Sequence, residues 1–157
     1  MMWKMIHKIV GRLWKKIPRW TRKFLTRVYQ SKFTASAGVV ILNSKGEILL
    51  LDHQIRPGNG WGIPGGFIDR GEQPEEAAVR EVLEETALEL DSLELVDFRT
   101  RETHIEFLYR ARANGIPKID GSEILGFEWF KADLLPQEMP QSQRDRIKGA
   151  VKDWFDN

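Results

Sequence analysis

The sequence predicts an α+β fold: a mixed β-sheet with helices packed on its faces. Three observations predict it. Residues 33–42 and 47–53 are short apolar runs bounded by turn residues, the pattern of buried strands. Residues 103–113 alternate, with Ile105, Phe107, Tyr109 and Ala111 between His104, Glu106, Leu108 and Arg110, the period of a half-buried strand. The segments that begin at Pro74 and at Ser142 instead place apolar residues at helical spacing. Strands, a helix, strands and a helix, in that order, make a layered sandwich.

The 157 residues fit one domain with a sizeable core and an appendage. A content of 41% hydrophobic and 30% charged residues is that of a soluble globular protein. The chain has no cysteine, which excludes disulfides, thiolate zinc sites and a cysteine nucleophile, and suits a reducing compartment such as the cytoplasm. The net charge of +1 conceals an asymmetry: ten of the 24 Lys/Arg and none of the 23 Asp/Glu lie in residues 1–32. That leaves 14 basic and 23 acidic residues, a net of −9, for residues 33–157. A basic arm (1–32) is joined to an acidic body (33–157). An acidic body is a poor general binder of nucleic acid, and an acidic pocket needs cations before it accepts a phosphate.

In the arm, a helical wheel over residues 2–17 puts Met2, Trp3, Ile6, Ile9, Val10, Leu13, Trp14 and Ile17 in one arc. Lys4, His7, Lys8, Gly11, Arg12, Lys15 and Lys16 fill the other, with only Met5 out of place. Pro18 kinks or restarts the helix, and Trp20, Phe24 and Val28 continue the apolar spacing among Arg19, Arg22, Lys23 and Arg27. No apolar run is long enough to span a bilayer or to serve as a secretory signal. Tryptophan on one side and Lys/Arg on the other is the pattern of a helix lying in an anionic membrane surface. The same residues also suit packing on the body or on a second subunit (a homodimer), single-stranded RNA binding through Trp stacking, or a mitochondrial presequence. Three tryptophans and one serine speak against the last.

In the body, residues 33–42 and 47–53 read as two strands of a hairpin around the turn Asn43-Ser44-Lys45-Gly46. Residues 54–60 form a loop. Strands follow at 93–101, 103–113 and 124–131, with a turn at Asn114-Gly115. The last helix spans 142–155, with Ile147, Ala150, Val151, Trp154 and Phe155 on one face.

The chemistry concentrates in residues 61–88. Gly58, Gly60, Gly62, Gly65 and Gly66 make a glycine-rich loop, with Pro64 stiffening the turn before Gly65-Gly66. Adjacent glycines let backbone groups approach a ligand or ion closely. The helix opens at Gln73-Pro74 with Glu75 and Glu76 at its positive end. Ala78, Val79, Val82 and Leu83 are its expected buried stripe, with Arg80, Glu81, Glu84 and Glu85 on the opposite side. Three carboxylates one turn apart repel one another, and a hard cation such as Mg²⁺ or Mn²⁺ relieves that repulsion. Arg80 can hold one of the carboxylates in place. Either half alone is also the pattern of an ordinary turn or of a solvated charged helix face. The fixed spacing between the halves is the specific signal.

That spacing is Gly66, five residues, Glu72, seven residues, Arg80-Glu81-Val82, one residue, Glu84-Glu85, one residue, Ala87-Leu88. It resembles the signature of the Nudix hydrolases, and the strand order around it resembles that fold over residues 33–157. Ala87 stands where the family usually has glycine, which leaves two expectations: a left-handed turn kept at a cost of about 1 kcal/mol, or a slightly longer helix. The resemblance implies a Nudix-like α/β/α sandwich with a mixed sheet. It also implies a Mg²⁺- or Mn²⁺-dependent hydrolase of nucleoside diphosphates linked to another moiety. It makes Glu81, Glu84 and Glu85 the metal-binding glutamates, joined by the Gly65 carbonyl. Arg80 orients them, and Glu72 supports them at the mouth. The general base is then a helix glutamate or Glu123, ahead of the strand at 124–131; Glu123 also reads as an ordinary loop acid.

For the substrate, a nucleotide-type small molecule, Arg56, Phe33, Trp61 and Gly66 are the expected contacts. Arg56 can instead be solvated, and Trp61 can pack beneath its loop. Two other classes compete. A nucleotide sensor without activity has no need of all three glutamates, and a prenyl diphosphate isomerase of related fold needs the cysteine this chain lacks.

Overall fold

The computed structural model describes residues 14–15, 17–30, 32–54, 60–119 and 123–154. The chain divides into two compact units, Met1–Lys32 and Phe33–Asn157. In the first, Pro18 precedes helix α1 (Arg19–Tyr29). Its start has no side-chain cap and no acid in the first turn, so nothing local offsets the cation Arg19 at the positive end. Trp20, Phe24 and Val28 form one exposed row on this helix. The helix expected over residues 2–17 lies outside the described residues, apart from Trp14, Lys15 and Ile17. Among the described residues no helix is long and apolar enough to cross a membrane.

The second unit is the predicted sandwich. Its order is β1 (Thr34–Leu42), β2 (Ile48–His53), β3 (Trp61–Gly62), β4 (Gly65–Phe67), α2 (Pro74–Thr86), β5 (Asp91–Arg101), β6 (His104–Arg112), β7 (Ile124–Phe130) and α3 (Gln141–Val151), then a 3₁₀ turn at Lys152–Trp154. Strand β1 is central. It runs parallel to β6 from Thr34 opposite His104 to Leu42 opposite Arg112, and β5 pairs antiparallel with β6 on the outside. One parallel pair among antiparallel ones makes the sheet mixed.

Strand β1 is buried on both faces, which is why its sequence is a continuous apolar run rather than an alternation. Ala37, Val39 and Ile41 meet Ala77, Ala78 and Val82 of α2, and Val40 and Leu42 meet Ile147, Ala150 and Val151 of α3. The sheet therefore separates two cores, each closed by one helix.

The expected hairpin of β1 and β2 forms only at its turn. Asn43 organises that turn: its Oδ1 accepts hydrogen bonds from the Lys45 and Glu47 amides, both at 2.9 Å. The strands pair at Leu42 opposite Ile48 and then part. Strand β4 takes the edge of β1 from Ser36 to Gly38, and β2 pairs with β7 and β3 instead. The stretch read as loop thus supplies two short strands, and the glycines are wedged into the middle of the sheet.

Candidate active site

Helix α2 is set by its own sequence. The Gln73 amide donates to Glu76 Oε2 at 2.9 Å, the reciprocal bond completes a capping box, and Pro74 occupies the first turn. Its buried residues are Ala77, Ala78, Val82 and Thr86. This corrects the expected stripe: Val79 and Leu83 are 45% and 51% exposed. The reason is where the wheel is anchored. At about 100° per residue, Glu81 and Glu85 fall between Ala77 and Val82, inside the packed arc. The two glutamates face the protein, with side chains only 16% and 13% exposed. The helix ends with Ala87 in the left-handed region (φ 54, ψ 21), its amide bonded to the Leu83 carbonyl at 2.9 Å. Of the two expectations for this position, the turn is kept and alanine bears its strain.

Strand β4 lies against these glutamates. A Cβ on Gly66 would stand 2.4 Å from the Glu81 carboxylate, and one on Gly65 would stand 2.2 Å from the Ala37 carbonyl, with φ at 144. Gly65 therefore admits only glycine, and a side chain at Gly66 would displace the Glu81 carboxylate. The Gly65 amide donates to Glu85 Oε2 at 2.9 Å. The carboxylates of α2 therefore meet bare backbone with no side chain between.

Arg80 ties the cluster together. It donates from Nε and Nη2 to the two oxygens of Glu72 (2.8 and 2.9 Å), from Nη1 to Glu81 (2.7 Å) and Glu84 (3.3 Å), and from Nη2 to the Phe67 carbonyl (3.1 Å). The hydrogen bond from Arg80, with that from the Asp69 amide, holds the Glu72 carboxyl down at about 2. Glu72 and Glu81 in turn raise Arg80 above its ordinary value. Glu84, 60% exposed, turns to Arg80, and among the described residues no three His, Asp or Glu side chains are grouped as metal ligands. The donor set nonetheless fits a hard cation: carboxylate oxygens from successive turns of one helix, beside backbone that leaves room at Gly66.

The other expected residues scatter. The carbonyl of Glu123 accepts from the Gln54 amide at 2.9 Å, one residue after His53, and the Glu123 side chain is exposed. His53 was missed from sequence; its Nδ1 lies 3.8 Å from Glu85 Oε1. Trp61 is half-buried and packs edge-to-face on Phe130, 5.4 Å between ring centres. Phe33 is 51% exposed, ahead of β1. Arg56 lies outside the described residues.

A cleft of about 420 Å³ opens along β4, where Gly65, Gly66 and Phe67 form one wall and Arg99, Arg101, His104, Glu106 and Arg146 bring charge and polarity to the others. Glu106 accepts from Arg99 Nε at 2.7 Å and from Arg146 Nη1 at 2.8 Å. Burial raises the Glu106 carboxyl, but the Arg99 hydrogen bond and the charges of Arg99 and Arg146 outweigh it, leaving Glu106 below its ordinary value. The ring nitrogens of His104 meet Thr34 Oγ1 at 2.7 Å and Ser36 Oγ at 2.9 Å. The alternation in residues 103–113 carried half of this cleft, since His104 and Glu106 share one face. The convergence of Arg99 and Arg146 from distant segments left no local signal.

Comparison with known proteins identifies the family. The family model described as NUDIX domain matches residues 32–150. A Bacillus subtilis (strain 168) protein named "Putative 8-oxo-dGTP diphosphatase" is 34% identical over 120 residues, 73% of this chain and 78% of the relative. An RNA pyrophosphohydrolase of Cereibacter sphaeroides (strain ATCC 17029 / ATH 2.4.9) is 41% identical over 118 residues, 75% of this chain but only 56% of the relative. Among solved structures, a MutT NUDIX hydrolase from Burkholderia pseudomallei superposes with a TM-score of 0.66 at 28% identity, covering 75% of this chain and 98% of that one. The NUDIX domain of Shewanella oneidensis NrtR, complexed with ADP ribose, shares the fold, with a TM-score of 0.70 at 20% identity over 88% of this chain and 99% of that one. The chain belongs to the NUDIX family and is a Nudix-type pyrophosphohydrolase.

Proposed function

We propose that the protein hydrolyses the diphosphate bond of a nucleoside diphosphate linked to another moiety, with Mg²⁺ or Mn²⁺ as cofactor. One observation carries this reading: Glu81 and Glu85 are pressed against the bare backbone of Gly66 and Gly65 while Arg80 holds Glu72, Glu81 and Glu84 together. Glu81, Glu84 and Glu85, with the Gly65 carbonyl, would hold the cation. Bound there, the cation would supply charge to neutralise the diphosphate oxygens and would lower the pKa of a water.

The remaining work falls to the chain. Arg80 keeps the glutamates in position against their mutual repulsion. A carboxylate accepts the proton of the attacking water. Glu85 is our first choice because the Gly65 amide fixes one of its oxygens. Glu123 is the second. In-line displacement then separates the two phosphates.

The cleft along β4 takes the nucleotide portion. Arg99, Arg101 and Arg146 supply donors that suit phosphate or base acceptors, and His104 is fixed by its two hydroxyl partners. The named activities of the relatives, on 8-oxo-dGTP and on RNA, also lie within the nucleotide class. Absence of cysteine suits work in the reducing cytoplasm. The test is a hydrolysis screen across nucleotide sugars, dinucleotides, (d)NTPs, ADP-ribose and 5′-triphosphorylated RNA, with Mg²⁺, with Mn²⁺ and with EDTA. The reading expects turnover of at least one nucleotide with either metal and none with EDTA. Turnover unaffected by EDTA would contradict it.

A further inference from the structure

We infer that α1 docks on the surface of an anionic lipid bilayer, lying in its plane. The helix is amphipathic without being able to stand alone. Its eleven residues are below the length at which an isolated helix persists in water. Pro18 provides no side-chain cap, Arg19 puts a cation at the positive end of the helix dipole, and no acid follows in the first turn. Yet its cations and its apolar row are grouped. At about 100° per residue, Trp20, Phe24 and Val28 fall in one arc, Arg27 borders that arc beside Trp20, and Lys23, Arg19, Thr26 and Arg22 continue round the helix from there. The first three are 73%, 62% and 65% exposed. Such a row exposed to water is unfavourable in proportion to its apolar area. A partner that stabilises this helix must therefore take an apolar row about 12 Å long and supply negative charge at its borders.

An anionic bilayer meets both demands at once. Trp20, Phe24 and Val28 enter the acyl boundary, where indole rings are favoured, and the cations beside them reach lipid phosphates. Charge complementarity selects the lipid class, because residues 1–32 hold ten Lys/Arg and no acid. RNA fits the row less well: its binders stack bases on aromatic rings, and Val28 in this row cannot stack.

The test is co-sedimentation of the full-length protein with vesicles of phosphatidylcholine alone and with added phosphatidylglycerol, at low and high salt. The expected result is binding to the anionic vesicles that weakens as salt rises, and little binding to the neutral ones. A Trp20→Glu/Phe24→Glu double variant loses that binding, and Arg22→Ala, Lys23→Ala and Arg27→Ala each weaken it about fivefold. The thermal unfolding midpoint of the body stays unchanged in all of them. A protein that remains in the supernatant with anionic vesicles at low salt overturns the inference. So does a double variant that sediments like the parent. If sedimentation velocity shows the double variant converting a dimer to a monomer without altering vesicle binding, a second copy is the occupant instead. Retention of single-stranded RNA without vesicle binding overturns it in favour of RNA.

Discussion

Helices α1 and α2 are of similar length and both amphipathic, but they are built in opposite ways. Helix α2 carries a capping box, proline in its first turn and acids at its positive end, and its apolar residues Ala77, Ala78 and Val82 are fully buried. Helix α1 has none of these start signals, begins with a cation, and exposes Trp20, Phe24 and Val28. The difference teaches that a segregated pattern specifies a helix but not its partner. In α2 the sheet supplies the partner, and the packed arc then brings Glu81 and Glu85 inward with it. In α1 the partner must come from outside the helix, and its charge dictates the kind.

The comparison can be broken with two valines. Val82→Ala should destabilise the body by about 2 kcal/mol, because Val82 is fully buried against β1. Val28→Ala should cost less than about 0.5 kcal/mol, as expected for an exposed side chain. Equal losses in denaturant unfolding would mean that the row on α1 is buried against protein. A smaller effect sharpens the account of α2. Ala87→Gly should stabilise the body by about 1 kcal/mol, since it relieves a left-handed alanine without removing a contact from the core. A loss of stability at this position would mean that the turn at Ala87 is unstrained.

How much of this was legible in the sequence depended on range. The five longer strands and the helix starting at Pro74 are local patterns, and each appears where the sequence placed it, whereas β3 and β4 lie in the stretch read as loop. The rotation of α2 was misread because Val79 and Leu83 look like core residues. The true contact face is set by small residues, Ala77 and Ala78, that let the helix approach β1 closely. The hairpin forms at its turn, but its shortness was not legible, because β4 takes the same edge of β1 from Ser36 to Gly38. The cleft was only half visible: His104 and Glu106 lie on one strand, but Arg99 and Arg146 join them from β5 and α3. The ring of Phe130 against Trp61 was not legible either, because the two lie far apart in sequence.

The central claim is that the carboxylates of α2, held by Arg80 against Gly65 and Gly66, carry out metal-dependent hydrolysis. The most direct test compares Mg²⁺-dependent turnover of the parent, Glu85→Gln and Arg80→Ala on whichever nucleotide the screen identifies, with circular dichroism confirming the fold of each. The account predicts a fall of about 10²–10⁴-fold for Glu85→Gln. It predicts a smaller fall, about 10–100-fold, for Arg80→Ala, which acts only by positioning. Full activity in folded Glu85→Gln would contradict it.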